Sequence, residues 1–313
     1  MGFTASLLIK DLDVHVTFPW GISIVSNMAF PDMVEGDDKY LNAVKIIGED
    51  PFFDGLEIPT PSDHLWDKIE DVLEDQDKVA ILGAQNDVIK RGLNPCALEE
   101  EERKKAVEGL GNIIEDAGAH GVWLIALCSG PDPGANKRKD ATGKLIVSLN
   151  ELCQKAEDCG VNLLLETFDR TLDKKMLIGP MDEAIKVVSE VRKEHEDLGL
   201  MWDLGHGPLL GEKPSVLRKT GELIEHIHIG CSKKADDGGL LDHHPGFYSK
   251  NAVNTEEDVA DLLEELEDIG YFGFVGFEVK PQEFQTGKEV ISTAKSVLVE
   301  AFARAVPRIF AKR

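Results

Sequence analysis

Positive charge is scarce in this 313-residue chain: 34 Lys and Arg stand against 58 Asp and Glu, a formal net charge of −24. Affinity for nucleic acid comes largely from clustered Lys and Arg that neutralise phosphates, so no nucleic-acid partner is expected. An anionic membrane surface is an equally poor match. No apolar run approaches the roughly 20 residues of a membrane span. The first residues lack a basic stretch followed by a long apolar core, so no secretory signal is expected. Cysteine is sparse: Cys96, Cys128, Cys153, Cys159 and Cys231 are odd in number and none belongs to a Cys-x-x-Cys pair. They read as reduced thiols in a cytoplasmic protein rather than as a disulfide framework. Nucleotide loops are missing too. There is no P-loop, and Ser26-Asn-Met-Ala-Phe-Pro31 is not the glycine-rich turn a dinucleotide fold carries after its first strand. Gly109-Leu-Gly111 falls inside a helical stretch and has no third glycine. No His-Glu-x-x-His occurs, and His195-Glu196 sits on a polar helix end, where exposure is expected.

What the chain does have is alternation. Apolar residues make up 42% of it, enough for a substantial core. Beyond residues 1–22, read as an N-terminal extension, short apolar runs alternate with amphipathic stretches. Strands are expected over residues 21–26, 54–59, 78–82 and 122–127, and in four runs ending at Glu166, Asp203, near His228 and at Glu278. Helices are expected over residues 38–48, after a Ser62 cap, over 98–117, and up to Asp158 with a stop at Gly160. Four more follow: 180–199, a short one over 214–223, 256–269 capped by Thr255, and 287–305. Strands alternating with helices imply parallel strands joined by crossover helices. Eight such units match the closed (β/α)8 barrel, an α/β fold, as one domain over residues 23–313. A doubly wound open sheet is the competing reading.

Four of the runs end in side chains that can hold a metal: Val161-Asn-Leu-Leu-Leu-Glu166, Met201-Trp-Asp203, Ile224-Glu-His-Ile-His228 and Gly273-Phe-Val-Gly-Phe-Glu278. A buried strand gains nothing from a terminal carboxylate or imidazole unless that end faces a site. In a barrel of this kind the C-terminal strand ends form the active face. Glu166, Asp203, His228 and Glu278 fall there, on strands five to eight. Three carboxylates and one imidazole suit an octahedral, oxygen-rich ion (Mn²⁺, with Mg²⁺ or Co²⁺ as alternatives) rather than a closed structural zinc.

These residues resemble the pattern of the xylose isomerase-like TIM barrels, the sugar isomerase/epimerase superfamily, and within it most closely the ketose 3-epimerases. The resemblance runs from about Gly21 onward. It rests on Glu166-Thr-Phe-Asp-Arg170, the Asp-x-x-His of Asp203 to His206, the His-x-His of His226 to His228, and Glu278. It implies Glu166, Asp203, His228 and Glu278 as metal ligands, His206 and Arg170 as substrate contacts, and Glu166 and Glu278 as the catalytic pair. The implied reaction is sugar epimerisation or isomerisation through a metal-stabilised enediolate: one carboxylate removes a proton beside a polarised carbonyl and the other returns one. A lyase on the same scaffold, such as a keto-inositol dehydratase or an enzyme eliminating a group β to a sugar ketone, is the runner-up. A barrel that binds sugar without turnover is a third reading. The expected partner is a small-molecule sugar, and assembly into a homo-oligomer is left open.

The chain also departs from the epimerase pattern. Leu172 stands where an acidic residue follows the first Glu, and Lys234 where a substrate-binding Arg follows the metal His. Both positions read sugar hydroxyls, so Lys234 is the expected contact and a free ketohexose is not assumed. Asp242-His-His244 is similar to the Asp-x-His of apurinic-site endonucleases, but residues 81–85 and 127–130 lack the histidines those enzymes need. A polar lid is the favoured reading of this segment, with substrate contact by His244 second. Glu57 either orients a substrate or forms a salt bridge across the barrel mouth. His226 is expected to point away from His228 and pack against a helix. His120, Cys128 and Cys231 are expected to be structural, and Trp20, Trp123 and Trp202 to be core.

Overall fold

Apolar runs bounded by Gly, Pro or Asp become strands, and the amphipathic stretches between them become helices, in a computed structural model that describes residues 2–312. Met1 and Arg313, the outer ends of the expected extension and barrel domain, lie outside the described residues. A hairpin of β1 (Thr4–Ile9) and β2 (Leu12–Thr17) comes first, followed by β3 (Gly21–Ile24), α1 (Ser26–Ala29) and α2 (Asp37–Gly48). Then come β4 (Gly55–Pro59), α3 (Trp66–Gln76), β5 (Val79–Gly83), α4 (Gln85–Ile89) and α5 (Glu100–Ala119). They are followed by β6 (Leu124–Cys128), α6 (Arg138–Cys159), β7 (Asn162–Glu166), α7 (Met181–Val191), β8 (Leu198–Asp203) and α8 (Gly207–Leu210). The chain closes with β9 (Ile224–Gly230), the short pair β10 (Lys233–Lys234) and β11 (Leu240–Leu241), α9 (Glu256–Asp268), β12 (Phe274–Glu278) and α10 (Gly287–Lys312). The eight strands expected from the sequence are thus β3, β4, β5, β6, β7, β8, β9 and β12.

Contacts group the chain into two units, one of Met1–Leu56, Asp203–Glu222 and Ile227–Arg313, the other of Glu57–Trp202 and Leu223–His226. In the second, β5, β6, β7 and β8 pair in parallel, with Leu82 opposite Ile125, Cys128 opposite Glu166, and Glu166 opposite Met201. In the first, β12 runs parallel to β3, Phe274 opposite Gly21 through Phe277 opposite Ile24. Parallel neighbours need long crossovers, and the helices between the strands supply them.

Each unit buries its own helix faces. In the second, Leu110, Ile113 and Ile114 of α5 and Leu145, Leu149 and Leu152 of α6 are buried. Arg103 crosses between those helices, donating to Ser148 Oγ at 3.0 Å and pairing with Glu151 at 2.9 Å. His120 is structural as expected: it stacks on Trp66 and its Nδ1 lies 2.6 Å from Glu70. In the first unit, Phe3 stacks on Phe18 at 5.1 Å and meets Phe302 of α10 edge-on at 5.5 Å. The expected extension is therefore a hairpin pinned by aromatic packing.

Several local expectations change. The helix expected over 180–199 ends at Val191, and Gly199 lies inside β8. A Cβ on Gly199 would sit 2.6 Å from the Glu225 carboxyl carbon, so the glycine permits close approach rather than stopping a helix. Residues 214–223 form two 3-10 turns, Pro214–Lys219 and Gly221–Leu223, instead of an α-helix. Ser62 makes no side-chain cap. His195 is buried, not exposed, with Nδ1 2.8 Å from Glu157. Trp20 and Trp202 are buried, whereas Trp123 is 39% exposed. Among the described residues, no helix is long and apolar enough to cross a membrane.

Thr255 does cap its helix, in a reciprocal box with Asp258. Thr255→Ala is expected to destabilise the protein by about 1 kcal/mol, read as a lower urea midpoint at unchanged m-value.

Candidate metal centre

Strand ends in the first unit deliver the site. Asp203 closes β8, His228 lies near the end of β9, and Glu278 closes β12. Their ligand atoms lie within 4.8 Å of one another. His228 Nδ1 is 2.9 Å from Glu278 Oε2. Asp203 is fully buried; its Oδ1 accepts the Gly205 N–H at 2.6 Å, while Oδ2 has no hydrogen-bond partner among the described residues. A second layer packs behind. His244 Nδ1 lies 3.5 Å from Asp203 Oδ2, its Nε2 lies 3.6 Å from Glu278 and also contacts Asp242. His206 Nε2 lies 3.3 Å from Asp242 Oδ1. Gly230 makes room for this crowd: a Cβ there would sit 2.7 Å from His244 Nδ1 and 2.8 Å from the Glu278 carbonyl oxygen.

The charges explain one another. Burial pushes the Asp203 carboxyl above its ordinary range, against the pull of His206 and His244. Burial also opposes the charge of Glu278, but the imidazoles of His244 and His228 outweigh it and hold that carboxyl down to about 2. Burial works against a charged His244 as well; the carboxylates of Glu278 and Asp242 prevail and push it up to about 9. Asp242, despite burial, is held well below its ordinary range by His206 and His244. Carboxylates this deep require positive charge, from an imidazolium or from a cation. The buried Asp203 Oδ2, without a hydrogen-bond partner among the described residues and with His244 Nδ1 no nearer than 3.5 Å, gains from a closer positive group. A divalent ion ligated by Asp203, His228 and Glu278 fits that need.

The remaining expected site residues divide between the units. Glu166 belongs to the second. It closes β7 opposite Met201, two residues before Asp203 on β8, and its Oε2 accepts the Gln85 amide at 2.8 Å. Gln85 escapes notice in the sequence because a neutral amide at a helix start resembles any turn residue. Its place directly after a strand end was the available signal. Arg170 binds the Leu177 carbonyl and the Glu183 carboxylate, tying its own loop. Asp169 stiffens that loop further by accepting three backbone N–H groups, from Leu172, Asp173 and Lys174. Lys234, on β10 of the first unit, is exposed.

Two expectations are corrected. His226 does not turn away to pack against a helix. Residues two apart on a strand share a face, and its Nε2 lies 3.1 Å from Glu57 Oε1 in a buried pair. Asp242 and His244 are not a polar lid, since both are buried against the ligand cluster and only His243 is exposed. His244 reaches in with left-handed backbone, φ 45°, a conformation that costs about 1–3 kcal/mol. Cys128 and Cys231 are buried, as packing residues should be.

Residues 41–296 match the family described as xylose isomerase-like TIM barrel. The chain belongs to that family. Its fold class is the (β/α)8 barrel that eight strand–helix units imply. This xylose isomerase-like barrel is 28% identical over 137 residues to the D-psicose 3-epimerase of Ruminiclostridium cellulolyticum, a stretch covering 42% of the chain and 39% of that relative. The match thus spans well under two thirds of the relative's length. Among solved structures it is similar to a D-tagatose 3-epimerase-like protein, with TM-score 0.72 and 20% identity, covering 92% of this chain and 99% of the other. It is also similar to the IOLI protein with a bound zinc atom, with TM-score 0.70 and 18% identity over 91% and 99% of the two chains. At such identities the structural likeness shows the fold.

Asp203→Ala is expected to weaken Mn²⁺ binding by at least about tenfold, read from the free Mn²⁺ signal by electron paramagnetic resonance. Binding is also expected to weaken as pH falls. A raised pKa makes Asp203 take its proton earlier in acidification than an ordinary Asp, and a protonated ligand is lost to the ion.

Proposed function

We propose that this chain is a divalent-metal-dependent epimerase or isomerase acting on a ketose or keto-sugar derivative. The observation that carries the reading is the convergence of Asp203, His228 and Glu278 at strand ends, with an Asp203 oxygen that is buried and has no hydrogen-bond partner among the described residues. Glu166 is proposed as the fourth ligand. Support comes from its motif, Glu166-Thr-Phe-Asp-Arg170, and from its place at the end of the strand beside β8. Mn²⁺ is the proposed ion, and the zinc bound by the structurally similar IOLI protein supports a divalent ion of some kind. When bound, the ion supplies Lewis acidity that polarises a ketone oxygen and acidifies the neighbouring C–H.

The chain's own groups do the rest. Glu278 is proposed as the first proton carrier; His244 and His228 keep its carboxylate ionised, which that role requires. Glu166 is the proposed second carrier, giving or taking a proton on the other side of the sugar. His206 and His244 are proposed to orient sugar hydroxyls, with Asp242 holding both rings. Lys234 and Glu57 are proposed as further sugar contacts. For Arg170, already bound to Glu183, the proposed role is to shape the loop after β7 and reach the sugar through it. The D-psicose 3-epimerase relative supports a ketose as substrate class. Leu172 and Lys234, at positions where epimerases read hydroxyls, favour a derivatised or keto sugar over a free ketohexose.

With Mn²⁺ present, the protein is expected to wash solvent deuterium into a ketose or keto sugar, seen by NMR, and EDTA should stop it. Glu278→Gln is expected to keep sugar binding while slowing exchange by about 10²-fold or more. Normal exchange in that variant would refute the two-carboxylate mechanism. A dehydrated or cleaved product in place of exchange would move the assignment to a lyase.

A further inference from the structure

The proposed function assigns nothing to Gln85, yet its geometry is specific. β5 ends at Gly83, and the Ala84 N–H donates to the Ala126 carbonyl at 2.8 Å, fixing the backbone where β5 gives way to α4. Two residues into α4, Asp87 accepts the Thr60 hydroxyl at 2.8 Å and pairs with Arg91 at 2.7 Å, so the short helix is anchored on both sides. From this base the Gln85 side chain folds back over the strand end. Its Oε1 lies 3.0 Å from the position a Cβ on Gly83 would take. Any larger residue at Gly83 would crowd the amide. The other half of that amide, Nε2, donates to Glu166 Oε2 at 2.8 Å, and Glu166 is itself buried.

We infer that Gln85 is a positioning residue for Glu166, aiming the carboxylate by a neutral hydrogen bond across the ends of two strands. The inference rests on the proposed role of Glu166 as ligand and proton carrier. The choice of an amide has a physical reason. A buried carboxylate needs a donor to hold its rotamer and offset desolvation. A Lys or Arg would do so by neutralising the charge that an ion and a proton both require. A His would offer a rival ligand nitrogen. The Gln amide donates without net charge and leaves the carboxylate an anion. Partners of this kind orient a ligating carboxylate without touching the ion.

The test compares the native chain with Gln85→Met, nearly isosteric but without a donor, and Gln85→Asn, chemically alike but one methylene too short to reach. Three quantities are read: Mn²⁺ affinity in the absence of sugar by electron paramagnetic resonance, kcat and KM for deuterium exchange with Mn²⁺, and Tm. Both variants are expected to lose about 10–100-fold in Mn²⁺ affinity or in kcat, with KM within about threefold and Tm unchanged. Native values of affinity and kcat in both variants would overturn the inference, as would losses that track a fall in Tm. If the native chain binds Mn²⁺ but exchanges no sugar C–H, the proposed reaction fails on its own. The affinity arm then still decides whether Gln85 positions Glu166.

Discussion

Two carboxylates crowded among imidazoles, Asp203 fully buried and Glu278 half-buried, dictate the chemistry of the first unit. Burial drives the Asp203 carboxyl up, and the neighbouring Glu278 charge adds a smaller push the same way. Imidazoles answer part of the demand: His228 beside Glu278, and His244 between Glu278 and Asp203. Asp242 then balances the imidazoles of His206 and His244. The result is an alternating array of acid and base in which Asp203 Oδ2 has no hydrogen-bond partner among the described residues. Such an array is poorly explained as a stabilising device, since buried charge seldom repays its desolvation. It is well explained as a cradle for a cation.

Holding that array requires the backbone to come close, and small residues permit it. Gly230 leaves space for the His244 ring and the Glu278 carbonyl, and Gly205 sits 3.1 Å, measured from a virtual Cβ, from the backbone of Gly230 and Cys231. Asn254 ties the same region together, donating to the Leu204 carbonyl at 3.0 Å and accepting the Ser232 N–H at 3.0 Å. In the second unit the same economy places Gln85 over Gly83 and Glu225 against Gly199. Glycine here serves packing at strand ends more than turn formation.

The strand ends that carry Glu166, Asp203, His228 and Glu278 were legible because an apolar run stopping at a charged residue is a local signal. The roles proposed for them come from the family resemblance. Less legible were groups whose meaning depends on a distant neighbour. Glu57 and His226 are 169 positions apart and form a buried pair. His244 sits in a long polar loop whose composition suggested solvent, yet its left-handed backbone turns the ring inward. Gln85 carries no charge and no motif. Period-two alternation along β9 puts His226 on the same face as His228. The hairpin of residues 4–17 is not legible either, because its strands are short and its residues stay exposed or half-buried.

By itself the sequence determined the order of the eight barrel strands and of the longer helices between them, since hydrophobic periodicity and turn residues act over a few positions. It also placed the four carboxylate and imidazole strand ends, because parallel βα repeats send every C-terminal end the same way. Only the tertiary structure decided which groups answer those charges. Hydrogen bonds and Coulomb forces act through space within a few ångströms, and the partners (His244 for Asp203, Gln85 for Glu166, Glu57 for His226) are set by packing rather than by spacing along the chain.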